Sequence, residues 1–111
     1  MQTSGGAKDL FPSVDLIVEL AKAYPHMAYV KEESEPLIPR MQGELAARSA
    51  MKGIFGANLG TGFLYEMRLG LDGVVTGMGM YADVMGRMWA LHERGDHAQV
   101  RDAYSRWLLM R

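Results

Sequence analysis

Met27-Ala28-Tyr29-Val30-Lys31-Glu32-Glu33-Ser34 is the stretch on which the fold of this chain turns. Four apolar residues end on a lysine and pass at once into a polar segment. This predicts a short strand over 27–31 that carries an amine at its C-terminal end. Two more apolar runs follow, Lys52-Gly53-Ile54-Phe55-Gly56 and Leu71-Asp72-Gly73-Val74-Val75-Thr76. Each is apolar at both parities, as in a sheet buried from both sides.

Around these strands the apolar residues recur at helical spacing. Residues 1–12 are polar and glycine-rich and close on Phe11-Pro12, the composition of a loop. Ser13 is an N-cap candidate with Asp15 in the first turn. Val14, Ile17, Leu20, Ala21 and Tyr24 then share a face until Pro25 ends the helix. Glu35-Pro36 opens a second helix, with Leu37, Ile38, Met41, Leu45 and Ala46 on one side. A glycine-rich turn from Ala57 to Gly62 leads into a third helix through Phe63, Leu64 and Met67, stopped by Gly70. Gly77-Met78-Gly79 reads as a place of close backbone approach. Residues 83–111 form a helical hairpin. Val84, Met88, Leu91 and His92 lie on one stripe, Gly95 and Asp96 divide the helices, and Val100, Ala103, Tyr104 and Leu108 continue the pattern. Strands alternating with helices imply parallel pairing through crossovers. The first strand is left with an unpaired apolar edge, so the chain reads as part of something larger.

Composition narrows the function. The 111 residues are 49% hydrophobic and 23% charged, which suits one small domain. Twelve basic and thirteen acidic residues give a net charge of −1, so neither nucleic acid nor an anionic membrane is an expected partner. Cysteine is absent, which removes thiolate metal sites and disulfides and fits a reducing compartment. No apolar run approaches the ~20 residues that span a bilayer. Met1 to Gly6 has no basic-then-apolar pattern of a signal peptide, and a cytoplasmic location is expected. The ten methionines are read as filling the core. His26, His92 and His97 lie too far apart for a metal site. Trp89, Tyr104 and Trp107 read as core or subunit contact rather than a cofactor box. The glycines from Gly56 to Gly62 lack G-x-G-x-x-G spacing, so a phosphate cradle is not expected there.

Tyr29-Val30-Lys31-Glu32-Glu33, Gly53-Ile54-Phe55-Gly56, Gly70-Leu71-Asp72-Gly73-Val74-Val75-Thr76-Gly77 and Gly95-Asp96-His97-Ala98 occur in that order. Together they resemble the dihydrodipicolinate synthase/N-acetylneuraminate lyase family of pyruvate-dependent class I aldolases. The likeness covers nearly the whole chain but only the C-terminal part of that family's (β/α)8 TIM barrel, about strands six to eight. It implies one partial α/β barrel over 1–111, with 1–12 as the loop after strand five and 83–111 as C-terminal helices. Lys31 then resembles the Schiff-base lysine, Gly56 a glycine whose backbone approaches the keto acid, and Val75 an apolar residue beside it. The substrate is pyruvate or another 2-keto acid, no cofactor or metal is called for, and a homo-oligomer is expected.

For Lys31 to attack, its charged form must be disfavoured by desolvation against neighbours such as Tyr29 and Val75. Glu32 and Glu33, which if close would oppose that shift by favouring the ammonium, are expected in the solvated loop and the start of the next helix. The chain also departs from the family pattern. The relay tyrosine would fall at or before Met1-Gln2, the loop arginine near Gly5, and the Thr-Thr pair on strand two, and none is present. The nucleophile is there without its partners, so the chain alone is expected to be inactive and its substrate need not be that of dihydrodipicolinate synthase. A different class of function competes: a non-catalytic half-barrel that pairs with itself or with a separate N-terminal half. A helical interaction module would ignore three strand signals.

Overall fold

A computed structural model of the chain describes residues 1–3, 11–77 and 79–110. Ser13 starts the first helix, α1 (Val14–Ala23), by accepting the Leu16 N–H on its Oγ at 3.2 Å. After a turn at Pro25 come β1 (Tyr29–Lys31), α2 (Leu37–Ala46), β2 (Gly53–Gly56), α3 (Phe63–Leu69) and β3 (Gly73–Val74). The hairpin α4 (Ala82–Glu93) and α5 (His97–Met110) follows. The strands form one parallel sheet in the order β1-β2-β3, with Val30 opposite Ile54 and Phe55 opposite Gly73. The α/β alternation expected from the apolar spacing is therefore present.

The strands are shorter than their apolar runs. At the third, Asp72 bonds Ile54 twice, its N–H donating to the Ile54 carbonyl at 2.9 Å and its carboxylate accepting the Ile54 N–H at 2.7 Å, and the residue-for-residue register with β2 starts at Gly73. The first three residues, whose composition reads as loop, lie parallel to β1 instead. Lys31 N donates to the Met1 carbonyl at 2.8 Å, Thr3 N donates to the Lys31 carbonyl at 3.2 Å, and Gln2 stands opposite Lys31. The edge of β1 expected to be open is covered by its own chain.

Strand parity divides the molecule. Val30 and Ile54 turn to one face and bury with Ile17 and Ala21 of α1, Met41 of α2 and Leu71. Met41 is fully buried, whereas Ile38, expected on the same core face, is 38% exposed. On that same side, a Cβ on Gly56 would lie 2.0 Å from the Glu66 carboxylate, which puts α3 there too. Tyr29, Lys31, Phe55 and Gly73 have the other parity. That face reaches solvent at Tyr29 and Val75, 50% and 45% exposed, so the expectation of a sheet buried from both sides is corrected.

A second core joins Phe63 and Met67 of α3, Met85 and Met88 of α4, and Val100, Tyr104 and Trp107 of α5. Met85 is buried where the sequence stripe had Val84, and Val84 and Leu91 flank it. Gly95 adopts φ +75°, and the Asp96 carboxylate accepts the Gln99 N–H at 3.3 Å, so the expected break and cap of the hairpin are both present. Among the described residues Gly77 and Gly79 have no atom within 4 Å of a would-be Cβ beyond their chain neighbours, so no close approach is seen there. Met78 and the Gly5 position lie outside the described residues. Among the described residues no helix is long and apolar enough to cross a membrane.

Candidate functional site

Lys31 stands at the C-terminal end of β1 on the open face. Residues i and i+2 of an extended segment share a face, and Glu33 uses this to return to the lysine. Its Oε2 lies 3.1 Å from Lys31 Nζ, the two side chains being 19% and 25% exposed. Gln2 Nε2 donates to the same oxygen at 3.3 Å. The Asn58 backbone N–H donates to Oε1 at 3.4 Å. Asn58 reaches this position at φ +48°, a left-handed conformation that asparagine tolerates better than most residues. The turn after β2 thus aims a main-chain donor at the end of β1.

The surroundings of the amine differ from those expected. Tyr29 and Val75 are half exposed and make no apolar box around it, and the carboxylate of Glu33 occupies its side. Glu32, expected in solvent, is fully buried. Its Oε1 accepts from Thr3 Oγ1 at 2.5 Å and from Ser34 N at 2.6 Å, and Arg40 Nη2 lies 3.1 Å from Oε2. Glu44, also fully buried, meets Glu32 from α2. Burial and the neighbouring Glu32 push the Glu44 carboxyl up to about 9, so at neutral pH it is the proton donor of the pair. Burial alone would push Glu32 up as well, but its hydrogen bonds with Glu44, Arg40, Thr3 and Ser34 outweigh that and hold it below the usual range. This cluster ties residues 1–3 to the start of the β1–α2 connection.

Gly56 lies at the end of β2, but the side on which it lacks a Cβ faces α3. Its smallness makes room for Glu66, whose fully buried carboxyl has no hydrogen-bond partner among the described residues. Burial pushes that carboxyl up to about 7. Val75 continues the β3 ladder by donating its N–H to the Gly56 carbonyl at 2.9 Å. It shares the open face with Lys31, two strands across, at roughly 10 Å laterally. The three residues singled out in the sequence are thus split: Lys31 and Val75 on one face, Gly56 on the other.

Beside β3 a cleft of about 540 Å³ is lined by Phe55, Phe63, Asp72, Val75, Met85 and Trp89, among others. It reaches Val75 but not Lys31. Asp72 in it is paired through both carboxylate oxygens with Arg48, whose hydrogen bonds hold the carboxyl below its ordinary range. Among the described residues no group of three or more His, Asp or Glu side chains could hold a metal ion.

Sequence reading missed Gln2, Glu33 and Asn58 as neighbours of the amine. The i, i+2 relation of Lys31 and Glu33 is the one signal that was there to be used. Gln2 and Asn58 arrive through tertiary pairing and carry none. Compared with protein-family models, with curated proteins and with solved structures, the chain yields no match.

Proposed function

We propose that this chain is the strand-six-to-eight part of a (β/α)8-barrel lyase that forms a Schiff base between Lys31 and pyruvate or another 2-keto acid. One observation carries this reading. The lysine stands at the C-terminal end of a parallel strand, on the face opposite α1 and α2. In α/β barrels that is where the reacting groups are gathered. In the proposed reaction the amine condenses with the C2 carbonyl and expels water. The iminium then acts as an electron sink while a carbon–carbon bond breaks or a β-hydroxyl leaves. Val75 would line the substrate side, and Gly56 would bring the β2 backbone to the site's rim. The groups that bind the substrate carboxylate come from outside this chain, and the same reading has it working as a cytoplasmic homo-oligomer.

Borohydride reduction in the presence of pyruvate tests the idea. The peptide containing Lys31 should gain the mass of a reduced pyruvate adduct, and Lys31→Arg should abolish it. A folded full-length sample that gives no adduct with any 2-keto acid would exclude the reaction.

A second reading is favoured by the half-exposed open face at Tyr29 and Val75 and by β3 ending the sheet among the described residues. There the chain is a non-catalytic half-barrel completed by another copy or a separate half. Sedimentation at micromolar concentration separates the two outcomes for the isolated chain. A stable oligomer supports this reading, and a folded monomer counts against it.

A further inference from the structure

Lys31 has a neighbour that the proposed reaction does not yet use. Glu33 Oε2 sits 3.1 Å from the nucleophilic nitrogen, within the reach that proton transfer requires. Among the described residues, two further groups hold that carboxylate. Gln2 Nε2 bonds the oxygen facing the amine and the Asn58 N–H bonds the other, at 3.3 Å and 3.4 Å. A chance pair of long surface side chains has no such seating. Gln2 comes from the segment paired to β1 and Asn58 from the turn after β2, so three parts of the chain converge on one carboxylate. Glu32, the adjacent acid, is buried among Thr3, Ser34, Arg40 and Glu44.

We propose that Glu33 is the acid–base catalyst of Schiff-base formation at Lys31, with Gln2 and Asn58 as its positioning residues; the proposal rests on the Schiff-base reading above. The carboxylate takes one proton from the Lys31 ammonium. The freed nitrogen lone pair attacks C2 of the keto acid, the carbonyl π electrons move to oxygen, and a proton passes from nitrogen to that oxygen. A neutral carbinolamine results. Glu33 then returns its proton to the carbinolamine hydroxyl. The C–O bond breaks, water leaves, and the nitrogen lone pair forms the C=N bond of the iminium. One ammonium and one ketone have become one iminium and one water, and Glu33 is again a carboxylate. The same cycle in reverse releases product by hydrolysis.

The test is the rate at which cyanoborohydride traps the pyruvate adduct on Lys31, followed by mass spectrometry with circular dichroism as the check on folding. General acid–base groups are worth roughly 10²–10⁴-fold, so Glu33→Gln should trap about a hundredfold more slowly than the parent protein. Glu33→Ala should be slow as well, and formate should restore at least tenfold of its rate, which a purely structural carboxylate would not allow. Trapping by folded Glu33→Gln within about twofold of the parent overturns the proposal while leaving the Schiff-base reading intact. Should Glu33→Gln not fold, an unchanged rate of Glu33→Ala on adding formate overturns it. No adduct in the folded full-length parent protein removes the Schiff-base reading itself, and this proposal with it.

Discussion

At Gly56 a single methyl group is the difference between accommodation and collision. A Cβ there would fall 2.0 Å from Glu66 Oε2, and the fully buried Glu66 has no solvent to swing into. Gly56→Ala is expected to cost about 1–3 kcal/mol as overpacking. Gly56→Ala combined with Glu66→Ala should cost less than the two single changes added, a coupling that urea midpoints will show. Glu66 also makes stability depend on pH. Its folded value is raised to about 7, so the folded chain holds the proton that the unfolded chain loses near the ordinary carboxyl value of 4.5. The stabilisation is complete below about 4.5 and is gone once the pH has risen through about 7. Its size is on the order of 3 kcal/mol. Glu66→Gln should flatten the fall in urea midpoint between pH 5 and pH 8, and a fall of unchanged depth would assign it to another group. None of this was legible in the sequence. Glu44 lies three residues after Met41 and so shares its buried face, but a charge at that spacing argues for solvent. Only its retained proton admits it to the interior.

Among the elements, those with local chemistry could be read and those built by distant partners could not. Ser13, Gly95 and Asp96 mark helix ends through bonds or backbone angles within a few residues, and they fall where the sequence puts them. β3 is two residues long and is entered through Asp72, whose main chain and carboxylate both bond Ile54, eighteen positions earlier. The Met1–Thr3 segment is too short for any periodicity, and it is held by Tyr29 and residues 31–34. Thr3 is its pin: Oγ1 donates to Glu32 at 2.5 Å and accepts the Glu33 N–H at 2.9 Å. Thr3→Val keeps the shape and deletes both bonds, at an expected cost of about 1–3 kcal/mol for the buried groups left unpaired. The Lys31 amide, which donates to Met1, should then exchange with solvent faster, while the amides of α5 keep their protection. The site was legible to the same degree. Lys31 shows in the sequence as a strand end, and its seating among Gln2, Glu33 and Asn58 does not.

The whole molecule has two cores that overlap only around α3 and the residues just after it. The first runs from Ile17 to Leu71 and the second from Phe63 to Trp107. Trp107 is fully buried in the second, packed edge-on against Tyr81 and tilted against Tyr104. Trp107→Ala should cost about 3–5 kcal/mol by cavity formation. Denaturant unfolding checks this, and a loss below about 1 kcal/mol would mean that the helical hairpin collapses readily around the gap. The division also has a consequence for birth rather than stability. A ribosome makes the first core's last residue, Leu71, well before it reaches Trp107, and at ~5–20 residues per second the interval is roughly 2–7 s. Helix and strand formation take microseconds to milliseconds, so the first core around Val30 and Ile54 can close as soon as Leu71 leaves the ribosome, without waiting for Trp107 to emerge.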